Sequence, residues 1–109
     1  MSNYEVKSLA DKFGSPFFLL AENKIKKNID LFKDCFSKYN GNFSLGYSTK
    51  TNPSIGIMKI MKKYEIVSEC ASYLDLASSI AAGYNGEQMV YAGLHKSIES
   101  LEYAVNNNI

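Results

Sequence analysis

One lysine in this sequence has the setting for covalent chemistry. Lys50 stands within Gly46-Tyr47-Ser48-Thr49-Lys50-Thr51-Asn52-Pro53, where an apolar run gives way to a helical pattern. In α/β folds reacting groups collect at the ends of strands, on loops that a rigid scaffold positions. An amine held there and drawn out of water gives up its proton more readily and attacks an aldehyde. Ser48, Thr49 and Thr51 are small and leave room for a flat ligand. The plain alternative is that Lys50 is one of 12 lysines and is solvated on a loop. Spacing by itself leaves both readings open.

Other candidate groups follow the later apolar runs. Glu69 lies at the end of the run Glu65 to Cys70, next to its last residue, where it would face Lys50 across a barrel mouth and balance the charge of an imine. Its plain role is a solvated or capping carboxylate. Ser72 begins Ser72-Tyr73-Leu74-Asp75, a capping box with aspartate in place of Glu or Gln, so it is a helix cap first and a ligand contact second. His95, the only histidine, lies in Gly93-Leu94-His95-Lys96; a lone loop histidine is ordinarily a surface residue. Lys96 precedes a helix start and reads as structural. No metal-ligand spacing, Gly-x-Gly-x-x-Gly or Walker pattern is present. No Ser/His/Asp set can be assembled around a single histidine.

Composition narrows the partners. A net charge of +1 gives no reason to expect nucleic acid or an acidic membrane. The aromatics do not alternate with a basic stripe, which argues against single-stranded nucleic acid. All positive charge is lysine, so no side chain offers the arginine fork for phosphate. Cys35 and Cys70 have no redox or metal spacing, and a reduced, cytoplasmic setting is expected. There is no signal-peptide pattern, and no apolar run approaches the ~18 residues of a membrane span.

The positioning elements can be read in order. Ser8 to Phe13 is a short helix ended by Gly14. Phe17 to Leu20 is a buried strand. From an Asn23 cap, Ile25, Ile29, Phe32 and Phe36 recur at helical spacing to about Tyr39, with lysines on the solvated side. Gly41 would close that helix in a left-handed conformation. Phe43 to Tyr47 is a strand, and Pro53 opens a helix with Ile57, Ile60 and Met61 inward. Glu65 to Cys70 is a third strand. A helix from Ser72 stops at Gly83. Met89 to Ala92 is a fourth strand, and Ser97 caps a last helix. Ile109 reads as the start of a further strand. After the first strand and helix the order is strand, helix, strand, helix, strand, helix, the rhythm of parallel βα units. Three units cannot close a barrel. The expected fold is α/β, the first part of a (β/α)8 TIM barrel.

Several segments carry a resemblance. Tyr47-Ser48-Thr49-Lys50-Thr51-Asn52 resembles the "Tyr-Ala-Val-Lys-Ala-Asn" signature of the fold-type III pyridoxal-phosphate decarboxylases, the diaminopimelate, ornithine and arginine decarboxylase group. Ser15 to Leu20 is similar to their "Thr-Pro-Phe-Tyr-Val-Tyr" strand. Glu69 to Leu76 is similar to "Asp-Val-Val-Ser-Gly-Gly-Glu-Leu". Ala81-Ala82-Gly83, Met89 to Gly93 and Lys96-Ser97 follow in family order.

The resemblance implies an alanine-racemase-like barrel and pyridoxal 5'-phosphate as cofactor, with Lys50 forming the Schiff base. It implies cofactor contacts at Glu69, where the family usually carries aspartate, and at Ser72. Asp75 takes the place of a usual glutamate, and no family role passes to His95. The chain is then the N-terminal portion of an amino-acid decarboxylase that works as a homodimer. Residues 1–22 would carry a strand of a C-terminal β domain, and residues 23–109 an incomplete cofactor-binding barrel. The phosphate loop and the partner of the pyridine nitrogen would lie on later strands. A racemase, a cofactor-carrier barrel and an inactive truncated module are the alternatives.

Overall fold

The computed structural model describes residues 3–109; the first two residues of the expected segment 1–22 lie outside the described residues. Helix α1 spans Asn3–Phe13, longer than the sequence suggested, and Gly14 ends it at φ 83°. A left-handed turn of that kind is open to glycine at no steric cost.

Phe17 to Leu20 does not form the expected buried strand. It lies outside any helix or strand, and Phe18, Leu19 and Leu20 are exposed. An isolated strand has no ladder to join, and no other segment among the described residues pairs with it.

Helix α2 is Glu22–Cys35, shorter than read at its C-terminal end. Its N-cap is Ala21, not Asn23, whose side chain only accepts from the neighbouring Lys24 N–H at 2.9 Å. The start is set by tertiary contact instead. Glu22 Oε1 accepts from Lys63 Nζ at 2.7 Å and from the Tyr64 hydroxyl at 3.0 Å. Of the predicted stripe only Ile29 is buried. Phe36 leaves the helix and packs on Phe43, ring centres 5.0 Å apart. Gly41 closes no helix, because α2 ends six residues earlier and Gly41 keeps an ordinary φ.

Three βα units follow. Strand β1 is Gly46–Ser48, then a 3-10 turn over Thr49–Thr51, then helix α3, Ile55–Lys63. Strand β2, Val67–Cys70, leads to helix α4, Tyr73–Ala81. Strand β3, Met89–Tyr91, leads to helix α5, Ile98–Asn106. The helix expected from Pro53 begins two residues later. Asn52 is extended, as a residue before proline must be, and its Oδ1 accepts from the Ser54 N–H at 3.0 Å. Strand β2 starts later than Glu65 because Glu65 adopts φ 60° and closes α3. The Ile66 N–H returns to the Met61 carbonyl at 3.1 Å, a helix-closing bond.

The strands form one parallel sheet in the order β1-β2-β3. Ser48 lies beside Glu69, and Glu69 beside Val90. Strand alternation separates two faces. Ser68, Cys70 and Met89 turn toward the helices and are buried with Met58, Leu76, Tyr84 and Ala104. Full burial of Met58 and Leu76 contributes about 2 kcal/mol each. Gly46, Ser48, Val67, Glu69 and Val90 fall on the opposite face. No helix among the described residues is long and apolar enough to cross a membrane.

Candidate active site

Parallel strands deliver their C-terminal ends to one edge of the sheet. Here Lys50 follows β1, Glu69 lies near the end of β2, and the loop of His95 follows β3. Lys50 is in the middle of the 3-10 turn and is exposed. Among the described residues its amine has no ion pair and no hydrogen bond.

The turn on which Lys50 sits is fixed on both sides. Thr49 is fully buried, and its hydroxyl donates to the Glu69 carbonyl at 2.9 Å. The Tyr47 hydroxyl donates to the Asn52 carbonyl at 3.3 Å, and burial pushes that phenol's pKa up. Lys50 is therefore free in its side chain and held in its backbone. Neither bond was singled out in the sequence, because both depend on register and on the turn.

Glu69 shares the sheet face opposite the core with Ser48, one strand away. The structure thus brings Lys50 and Glu69 to the same end of the same sheet. Ser72 is placed differently. Its oxygen accepts from the Asp75 N–H at 3.3 Å and donates to Asp75 Oδ2 at 3.0 Å. Asp75 is buried and also accepts from the Ala71 N–H at 3.0 Å. Ser72 is a helix cap, as its spacing indicated. A hydroxyl has one donor and two lone pairs, so Ser72 keeps a single lone pair for anything else.

His95 is exposed, with no hydrogen bond to another described residue. Lys96 turns back to the Gly93 carbonyl and lies 4.8 Å from the centre of the Tyr91 ring. Gly93 itself is a close approach: a Cβ there would stand 2.1 Å from the Ala71 carbonyl oxygen. Glycine lets the loops after β2 and β3 meet at the edge that bears Lys50 and Glu69.

Beneath the sheet, Ser68 and Ser79 share a hydrogen bond of 2.7 Å, and the Cys70 thiol lies within 3.5 Å of both. Burial pushes the Cys70 thiol up, away from a reactive thiolate. An apolar cavity of about 410 Å³ lies between α2, β1 and α3, lined by Ile25, Ile29, Phe32, Leu45 and Met61 among others. None of the candidate chemical groups lines it.

The sequence pattern described as pyridoxal-dependent decarboxylase, pyridoxal binding domain, matches residues 22–109. This chain belongs to that family. A diaminopimelate decarboxylase of Helicobacter pylori is 30% identical over 110 residues, covering 100% of this chain and 26% of the relative. The lysine decarboxylase of Selenomonas ruminantium superposes with a TM-score of 0.88 at 25% identity, over 99% of this chain and 28% of that one. The structure of SrLDC in complex with PLP and cadaverine gives 0.86 at 25% identity, over 99% and 27%. The fold is the α/β, parallel-sheet start of the TIM-barrel domain of these decarboxylases. The chain spans about a quarter of the length of the relatives it matches.

Proposed function

We propose that this chain supplies the covalent anchor for pyridoxal 5'-phosphate in an amino-acid decarboxylase of the diaminopimelate decarboxylase type, with Lys50 as the attachment amine. The observation that carries the reading is Lys50 itself. It is an unpartnered amine on a fixed turn at a strand end, inside a pyridoxal-binding domain.

The residues present fit an aldehyde cofactor. The Lys50 amine needs no neighbour displaced before it can react. Glu69 lies on the same sheet face and would balance charge at Lys50 Nζ and hold a proton there. Ser72 is a further contact, through its one free lone pair, for a ligand N–H or O–H. Tyr47 and Thr49 keep the turn from drifting as Lys50 changes between bound and free. The cofactor's ring, when bound, takes up the electron pair left as the α-carboxylate departs. No arginine is available to its phosphate from this chain.

The named relatives support an amino-acid substrate of the diaminopimelate or lysine class. We further infer a homodimer and a cytoplasmic location; the free thiols of Cys35 and Cys70 support a reducing compartment. The boundary is proposed between residues 22 and 23; the family match begins one residue earlier, at residue 22. The segment 1–22 is assigned to a β domain on the resemblance of residues 15–20 alone.

The test is reduction with borohydride of the protein expressed from its complete coding sequence and loaded with pyridoxal phosphate. A pyridoxyl label on Lys50 is expected in peptide mass spectrometry. A label on another lysine, with Lys50 unmodified, overturns the assignment.

A further inference from the structure

The sheet face opposite the core ends in a row of three residues. Register places Ser48 beside Glu69 and Glu69 beside Val90, one residue from each strand. The row reads hydroxyl, carboxylate, isopropyl. Lys50 follows Ser48 by two residues, past the buried Thr49.

Ser48 is set apart from the other hydroxyls at this edge. Thr49 donates to the Glu69 carbonyl. Ser72 and Ser97 cap α4 and α5. Ser100 bonds to the Ser97 carbonyl and the Tyr91 hydroxyl. Ser48 and the exposed Thr51 make no side-chain hydrogen bond to a described residue, and of the two only Ser48 is half-buried on a strand. Strand propensity gives no reason for serine at such a place. A half-buried hydroxyl without a protein partner is matched by one on a ligand or a water.

We propose that Ser48 is a ligand-contacting residue, its hydroxyl hydrogen-bonding a polar substituent of the pyridoxal ring. The inference rests on Lys50 being the attachment amine, which stands two residues beyond Ser48 at the end of the same strand. The hydroxyl adds a hydrogen bond that alanine cannot make.

The experiment uses the protein from its complete coding sequence, stripped of cofactor and titrated with pyridoxal phosphate by absorbance. Ser48→Ala is expected to weaken binding about fivefold, the usual worth of one hydrogen bond. Its melting temperature without cofactor should match the wild type. Ser48→Thr restores the hydroxyl and should restore the affinity. Unchanged affinity in S48A overturns the contact. So does a loss that S48T fails to recover, or one accompanied by a lower melting temperature without cofactor. Borohydride labelling of the wild type separates the two claims. A label on Lys50 with unchanged S48A affinity removes Ser48 alone; a label elsewhere removes both.

Discussion

The buried hydroxyl of Thr49 donates to the main-chain carbonyl of Glu69 across 2.9 Å, tying the turn of Lys50 to the neighbouring strand. The bond does at the strand end what the ladder does before it. Thr49→Val keeps the shape and removes the donor, so its effect reports the hydrogen bond. The expected loss is about 1–3 kcal/mol of stability, because a part-buried carbonyl loses a donor. Thr49→Ser keeps the bond and should lose less. Chemical denaturation of the three proteins checks the order.

Glu69 should matter for chemistry and little for folding. Its carboxylate makes no hydrogen bond to a described residue and faces away from the core. Glu69→Gln keeps size and removes the charge that would balance Lys50. Turnover in the cofactor-loaded protein is expected to fall about a hundredfold, the scale of a lost acid–base group. The melting temperature should hold. Steady-state kinetics beside a thermal melt separates the two; a hundredfold loss with a large drop in melting point would assign Glu69 to structure.

How much of this was legible depends on the range of the forces involved. Ser72 and Ser97 were readable as caps because a cap bonds within one turn of its own helix. The order of βα units was readable for the same reason: each element carries its own period. Asn23 misled because the start of α2 is fixed by Glu22 reaching Lys63 and Tyr64, residues distant in sequence. Phe17 to Leu20 misled because an apolar run becomes a strand only beside another strand. The site followed the same rule. The strand-end places of Lys50 and Glu69 were legible from the element order, while their proposed roles come from the family resemblance. The bonds of Tyr47 and Thr49 that hold the turn, and the row formed by Ser48, Glu69 and Val90, needed the register.

Gly93 should tolerate no side chain. A Cβ would stand 2.1 Å from the Ala71 carbonyl oxygen, and that obstacle is backbone. Gly93→Ala must push apart the loops after β2 and β3. The expected cost is about 1–3 kcal/mol, as for an overpacked interior site. Because those loops flank Lys50 and Glu69, cofactor affinity should fall with stability. A thermal melt and an absorbance titration of the same variant check that the two losses come together.

The joint between α2 and α3 should respond to pH in a defined window. Hydrogen bonds from Lys63 and then Tyr64 hold the Glu22 carboxyl below its usual value of 4.5. The same Glu22 contact holds Lys63 above its usual 10.5. A depressed carboxylate stabilises the fold fully above its unfolded value, and the contribution is lost as pH falls through the lower folded value. A raised lysine contributes fully below its unfolded value, and the contribution is lost as pH rises through the higher folded value. The joint is therefore intact between about pH 4.5 and 10.5 and weakens outside that range. Both groups are solvent-exposed, so the effect is small and screened by salt. Glu22→Gln should flatten the acid side of the stability curve and move the Lys63 titration down from its raised position. Carboxyl and amine titrations by NMR, in wild type and E22Q at low salt, check the sign. A wild-type Glu22 that titrates above the usual carboxylate value would show that the joint does not form in solution.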